Sequence, residues 1–126
     1  MTSNRITRVN ELLRREIGEA LFRVMHESGL DLGAITVTRV RTARNLRDAT
    51  VSISIRNHRD ERTGMLSAIR RHRRDIQTLI NRDLTIKYTP RLRFELDPSI
   101  EQGDRVLHIL EELERAPDDG GGSGAS

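Results

Sequence analysis

Arginine dominates the side chains of this sequence that could do chemistry. Four arginines flank a histidine near the middle of the chain: Arg70, Arg71, His72, Arg73 and Arg74. A planar guanidinium pairs bidentately with phosphate, so this run is a candidate for binding a polyanion. The alternative is a solvated helix face whose arginines pair within the chain, with Asp75 and Glu61. Both interpretations remain open from the residues alone.

The other groups that could support catalysis are weaker candidates. Glu95, Asp97, Glu101 and Asp104 lie close together, but at a strand-to-helix junction carboxylates more commonly cap the helix and oppose its dipole. The four histidines are widely separated and the chain has no cysteine, which removes zinc-ligand spacings, disulfides and thiol nucleophiles. Nucleophile elbows and glycine-rich phosphate loops are absent. We therefore expect no catalytic, metal or cofactor site, and an RNA hydrolase remains an alternative resting on these carboxylates alone.

The charge is divided unevenly along the 126 residues. The net charge is only +3, but residues 1–94 carry 20 basic and 10 acidic side chains, whereas residues 95–119 carry 2 basic and 9 acidic ones. A basic body with an acidic end favours a polyanionic partner. The aromatic residues are one Tyr and two Phe, too few for several bases to stack on one surface. No membrane span or signal peptide is recognisable, so we expect a cytoplasmic protein.

The first half of the chain predicts a helix and a β-hairpin. Apolar residues recur at three- and four-residue spacing over residues 4–27, with Gly29 as a left-handed cap. Residues 34–40 are short and β-branched, and residues 48–56 alternate apolar and polar side chains, which predicts two strands of a sheet with one buried face. The short connection between them favours an antiparallel pair.

The second half predicts a helix, a strand and a final helix. A single helix is expected over residues 63–82 and a third strand over residues 84–96, with Tyr88, Leu92 and Phe94 on its core face. Pro90 must lie at an edge or a bulge because it lacks an N–H. Asp97 and Pro98 predict the start of an acidic helix. The composition of residues 116–126 predicts a disordered Gly/Ser-rich tail beside a domain of residues 1–115.

This order of elements predicts an α+β fold with helices on one face of a three-stranded sheet. The same order occurs in type II KH domains, which bind nucleic acid. The sequence has no G-x-x-G loop of the kind that clamps a backbone in such domains, so recognition through shape and phosphate contacts is favoured. We expect nine basic residues to supply these contacts: Arg70, Arg71, Arg73 and Arg74, with Arg5, Arg8, Arg44, Arg47 and Lys87 as secondary candidates. Arg91 and Arg93, on the non-core face of the third strand, could add to the footprint.

Four stretches of the sequence resemble the ribosome-binding factor A family. Residues 8–17 (RVNELLRREI) look like its first helix, residues 35–40 (ITVTRV) like its first strand, and residues 45–51 (NLRDATV) like its hairpin. The most specific stretch is residues 90–103 (PRLRFELDPSIEQG), which matches P-x-L-x-F-x-x-D-x-S-I-x-x-G throughout. The resemblance covers roughly residues 5–113.

The resemblance implies a type II KH-like domain without enzymatic activity. Family members bind free 30S subunits and assist late 30S maturation and 16S rRNA processing, near the 5′-terminal helix, and many act in cold adaptation. Where the family has an Ala-x-Gly kink between two helical segments, this sequence has His72-Arg73-Arg74, which disfavours a sharp bend.

The residues favour a polyanionic partner, and the resemblance implies that this partner is the 30S subunit with its 16S rRNA. We expect a monomer that uses neither cofactor nor membrane. Other assembly factors and ribosomal proteins are further candidates. The alternative is a general basic RNA-binding module, or a module whose acidic last helix docks on a protein.

Overall fold

The computed structural model describes residues 2–84, 88–99, 109, 110 and 113. The chain divides into two compact units, residues 1–96 and residues 97–126. The first unit contains α1 (Thr2–Met25), β1 (Ile35–Thr42), β2 (Asp48–Ile55), α2 (Arg62–Arg71), α3 (Arg73–Asp83) and β3 (Arg91–Leu96), with short 3₁₀ turns at Leu32–Ala34 and Arg59–Glu61. The predicted tail of residues 116–126, and the predicted last helix apart from a few residues, lie outside the described residues.

The sheet has the order β1-β2-β3, with β1 antiparallel and β3 parallel to β2. As the alternation predicted, Ala49, Val51, Ile53 and Ile55 of β2 are all buried. A bulge between Val37 and Arg39 changes the register of β1. On the opposite face, Arg41 lies beside Thr50, and Thr50 lies beside Arg93. The sheet therefore has one apolar face and one face that carries guanidinium groups.

The apolar face of the sheet packs against one stripe of α1 and against the two later helices. Leu13, Ile17 and Met25 of α1 are fully buried, as are Ile69, Ile76 and Ile80 of α2 and α3. The stripe was predicted, although α1 begins and ends two residues earlier than expected. Gly29 has a φ of 84°, which confirms the predicted left-handed residue after this helix.

The prediction of one continuous helix over residues 63–82 is wrong, because the helix breaks at His72. In an unbroken helix the backbone N–H of His72 would donate to the carbonyl of Ala68. Here that N–H donates to Ile69 O at 3.0 Å, and the imidazole Nδ1 lies 2.9 Å from Ala68 O. In the tautomer that carries its proton on Nδ1, the side chain takes over the bond that the backbone gives up. The bend therefore forms without the small residues that sequence reasoning required.

The third strand is shorter than predicted. It starts at Arg91 instead of Leu84, and Tyr88 is 73% exposed instead of facing the core. Pro90 has no N–H to donate to a ladder, so the strand begins after it. The side chain of Gln77 holds this start: its Nε2 donates to Pro90 O at 3.0 Å, and its Oε1 accepts from Leu92 N at 2.9 Å.

The described part of the second unit confirms the predicted helix start at Asp97. Its Oδ1 accepts hydrogen bonds from the backbone N of Ser99 at 2.9 Å and from Ser99 Oγ at 2.7 Å. Pro98 and Ser99 have helical conformation. Asp97 is thus an N-cap followed by a proline in the first turn.

His58 connects two loops near the start of α2. Its Nε2 lies 2.9 Å from Asp31 Oδ2 and its Nδ1 lies 3.0 Å from Glu61 Oε1. Both ring nitrogens donate only when the imidazole is protonated. The hydrogen bonds to Asp31 and then to Glu61 raise the pKa of His58, and the hydrogen bond to His58 lowers the pKa of Asp31.

We expect the His58→Gln variant to lose stability relative to the wild type mainly at acidic pH. Because folding raises the pKa of His58, its stabilisation is complete below the unfolded pKa and is lost as pH rises through the folded pKa. Melting temperatures of both proteins between about pH 5.5 and pH 8.5 would show the difference shrinking as pH increases. A difference independent of pH would contradict this role for the imidazolium.

Candidate nucleic-acid interface

A groove of about 670 Å³ runs along the edge of β3, and we call it the β3-edge groove. Arg70 near the end of α2 and Arg73 at the start of α3, three residues apart in the chain, both line this groove. Arg91 and Arg93 line it from the strand. Thr50, Asp48 and Glu95 complete its polar lining.

The alternation of β3 explains why its arginines reach the groove. Leu92 and Phe94 are buried in the core, so Arg91 and Arg93 point to the other face, and both are exposed. Sequence reasoning gave these two arginines only a supporting place. The alternation of apolar and charged residues after Pro90 already indicated that Arg91 and Arg93 share the exposed face, which would have made them primary candidates for binding.

Arg70 has a structural role in addition to any binding role. Its Nε and Nη2 donate to the backbone carbonyl of Phe94 at 3.0 and 2.8 Å. A carbonyl at a strand edge otherwise has no ladder partner, so the guanidinium braces α2 against β3. Part of the donor capacity of Arg70 is thereby used within the fold.

The remaining guanidiniums of the groove are available to an outside anion. Within the described part of the chain, no residue forms an ion pair with Arg73, Arg91 or Arg93. Glu95 of the groove lies 3.5 Å from Arg41 Nη2 across the sheet. The excess of positive charge is therefore not cancelled inside the groove.

The alternative of internal pairing for the central arginine run is not supported. Glu61 Oε1 is occupied by His58, and among the described residues no ion pair joins Arg70, Arg71, Arg73 or Arg74 to Asp75. The run therefore keeps its charge for solvent or for a partner.

Two further recesses extend the groove toward α1. The turn recess, of about 770 Å³, shares Arg73 and Arg91 with the groove and adds residues of the β1–β2 turn; its lining includes Asn45, Arg47, Asn81 and Tyr88. The α1 recess, of about 380 Å³, shares Leu46 and Tyr88 with the turn recess; its lining includes Arg5, Ile6, Val9 and Pro90. Because each recess shares lining residues with the next, the three adjoin one another from Arg93 to Arg5.

This surface collects four of the nine basic residues predicted to bind RNA. Arg70, Arg73, Arg47 and Arg5 line it. The other described candidates are exposed but line none of these three recesses: Arg8, Arg44, Arg71 and Arg74. Lys87 lies outside the described residues.

Two residues of this surface were missed by sequence reasoning. Leu46 is half exposed and adopts a left-handed φ of 62°, and Tyr88 is exposed just before β3. Leu46 stood in a connection with no assigned role, and Tyr88 was assigned to the core. No pattern in the sequence marks either as a surface residue, because their exposure depends on where β3 begins and on the shape of the turn.

The chemistry that this surface offers is the pairing of phosphate with guanidinium, next to a small apolar patch. Within the described residues, no group of three or more His, Asp or Glu side chains has the arrangement of a metal site. In the same part of the chain no helix combines the length and apolar character that crossing a membrane requires.

The family model of ribosome-binding factor A matches residues 5–110 of this chain. The ribosome-binding factor A of Opitutus terrae is 39% identical over 113 residues, covering 90% of each protein, and that of Dictyoglomus thermophilum is 31% identical over 106 residues, covering 84% of this chain and 88% of the relative. The crystal structure of ribosome-binding factor A from Thermus thermophilus superposes with a TM-score of 0.59 at 21% identity, covering 72% of this chain and 93% of that one. This likeness confirms the predicted α+β, KH-like fold.

Proposed function

Because this chain belongs to the ribosome-binding factor A family, we propose that it binds free 30S subunits through 16S rRNA and assists their late maturation without catalysis. The proposal takes the family's ribosome binding as its premise and assigns the contact to the β3-edge groove. Processing of 16S rRNA near the 5′-terminal helix, cold adaptation, a monomeric state and a cytoplasmic location belong to the same proposal.

The observation that carries the assignment is the set of uncompensated guanidiniums at the helix break. Arg73, Arg91 and Arg93 face one groove and form no ion pair with any described residue. In a KH domain the G-x-x-G loop offers backbone N–H groups to the nucleic acid at such a place. Here arginine side chains replace that loop, so binding should depend on charge and on the shape of the RNA rather than on base sequence.

Sedimentation of the purified chain with free small subunits and with intact ribosomes, at low and at moderate salt, tests the proposal. We expect the chain to sediment with free subunits only, and to remain bound at moderate salt, because a shaped site adds contacts beyond counterion release. Binding to both particles that disappears with salt would show a general polyanion binder instead. A chain that stays in the supernatant would contradict both functions.

A further inference from the structure

The turn at the tip of the β1–β2 hairpin places an apolar side chain on the surface, outside the hydrophobic core. Leu46 is 50% exposed and has a φ of 62°, a conformation that a residue with a Cβ adopts only at an energetic cost. The turn is held by three hydrogen bonds: from Leu46 N to Ala43 O and from Arg47 N to Asn45 Oδ1, each at 2.9 Å, and from Ala43 N to Asp48 O at 2.8 Å. Glycine or asparagine would suit this backbone better.

Tyr88, the single tyrosine of the sequence, lines the α1 recess together with Leu46. Its side chain is 73% exposed. The recess has a volume of about 380 Å³, and its lining also includes Ile6, Val9 and Pro90. An aromatic ring, a leucine and a proline thus form an open apolar slot at the end of an arginine-lined surface.

Two hydrogen bonds tie segments that line the slot, or adjoin its lining, to the rest of the fold. Thr42 Oγ1 donates to Asn10 Oδ1 at 2.5 Å, which ties the end of β1 to α1. The backbone N of Arg91 donates to Arg47 O at 2.7 Å, which ties the turn to the start of β3. A slot with fixed walls can receive a rigid planar group without a large loss of conformational entropy.

The charges around the slot identify the chemistry of its occupant. Arg5 lines the slot itself, and Arg47, Arg73 and Arg91 line the adjoining turn recess. No acidic residue is among the described residues that line either recess. A ligand that combines a flat apolar body with negative charge on both sides is a nucleotide within a strand.

We propose that the α1 recess binds one unpaired nucleobase of the bound RNA, stacked on Tyr88 and Leu46, with the neighbouring phosphates paired to Arg5 and Arg47. This inference rests on the proposed function and deepens it. A base that is already unpaired can enter such a slot without the cost of opening a duplex. One aromatic residue is enough for one base, so the scarcity of aromatics in the chain is no obstacle.

The probe for the test is a short single-stranded RNA with the fluorescent base 2-aminopurine near its middle, compared with a fully paired RNA of the same length. We expect the single strand to bind with quenched fluorescence. Tyr88→Ala should lower that affinity about tenfold, since stacking of a base on an aromatic side chain typically contributes a factor of about 5 to 150. Tyr88→Phe, which keeps the ring, should bind as the wild type does, and the paired RNA should not respond to either change.

Two further variants separate stacking from damage to the fold. Leu46→Gly removes the apolar side chain at a position where glycine is unstrained, so we expect weaker single-strand binding without a lower melting temperature. Phe22→Ala removes another exposed aromatic ring, 60% exposed on α1, which lines a different recess. It should leave all binding unchanged.

The outcomes distinguish this pocket from the proposed function. If Tyr88→Ala and Leu46→Gly bind the single strand normally, or if the wild type does not bind it, the base pocket is wrong even where subunit binding persists. Loss of subunit binding in these variants with normal oligonucleotide binding would indicate a protein side chain as the occupant and would also overturn the proposal. A tenfold loss in Tyr88→Ala, in a chain that does not sediment with subunits, would support the pocket and contradict the function.

Discussion

Replacing both Arg73 and Arg91 by alanine is expected to weaken binding to the free small subunit about 100-fold, with little change in melting temperature. Both guanidiniums line the β3-edge groove and the turn recess, and neither pairs with a described residue. A hydrogen bond to a charged group contributes about 1.5 kcal/mol or more, so two such contacts amount to about 3 kcal/mol. That free energy corresponds to a factor of about 100 in Kd.

The dependence of binding on salt gives an independent measure of the same contacts. Each phosphate that is neutralised on a duplex adds about 0.9 to the slope of log affinity against log salt. The double variant should therefore lower the magnitude of that slope by about 1.8. Equilibrium binding of the labelled chain to free subunits over a series of salt concentrations would measure both quantities.

The matched control is the double substitution of Arg71 and Arg74 by alanine. It removes the same two positive charges, here from the last residue of α2 and the second residue of α3, but these exposed side chains do not line the groove or its two extensions. We expect it to change affinity only a few-fold, through the long-range field. An equal loss in both double variants would mean that total charge decides binding, and would remove the groove as a defined site. Arg70 is left intact in this comparison because it also braces Phe94.

The elements with a strong burial pattern could be predicted from the sequence. The stripe of α1 and the alternation of β2 record which face of each element contacts the core, and burial of such faces is what holds these elements in place. The hairpin followed from the short connection between its strands. The N-cap at Asp97 followed from the chemistry of the residue itself.

The break at His72 and the start of β3 could not be predicted in this way. At the break, the His72 imidazole bonds to the carbonyl of Ala68, and the sizes of the residues give no indication of this hydrogen bond. The start of β3 depends on Pro90 and on the side chain of Gln77, which is distant in sequence. Extending the strand pattern back through Pro90 therefore placed Tyr88 wrongly in the core.

The structure also groups the predicted site residues in a way that their order in the chain does not indicate. Sequence reasoning treated the central arginines as one group because they are adjacent in the chain. In the structure, Arg70 and Arg73, three residues apart, line the β3-edge groove, whereas Arg71 and Arg74 do not. Arg5 and Arg47 line the two recesses that extend this groove, although both lie far from the central arginine run in the sequence. Tertiary placement therefore decides which charges act together.

Leu92→Ala is expected to lower the free energy of unfolding by about 2–5 kcal/mol, the usual cost of truncating a buried leucine. Leu92 is fully buried on β3, next to Ala49 of β2 in the strand register. It lies between Arg91 and Arg93, so its packing holds the strand that presents both guanidiniums. Urea denaturation followed by circular dichroism would measure the loss, with an unchanged slope showing that the denatured state is unaltered.

Leu92→Met is the matched control for Leu92→Ala. It changes the residue at this position but keeps most of the packed volume. A change that nearly conserves volume should cost less than about 1.5 kcal/mol and leave subunit binding unchanged. Because edge strands have ladder partners on one side only, β3 depends on its buried side chains and on Gln77 and Arg70 for its position. A loss below about 1 kcal/mol in Leu92→Ala would show that these two polar braces suffice to hold β3, and the apolar core would then have no part in fixing the arginines of the groove.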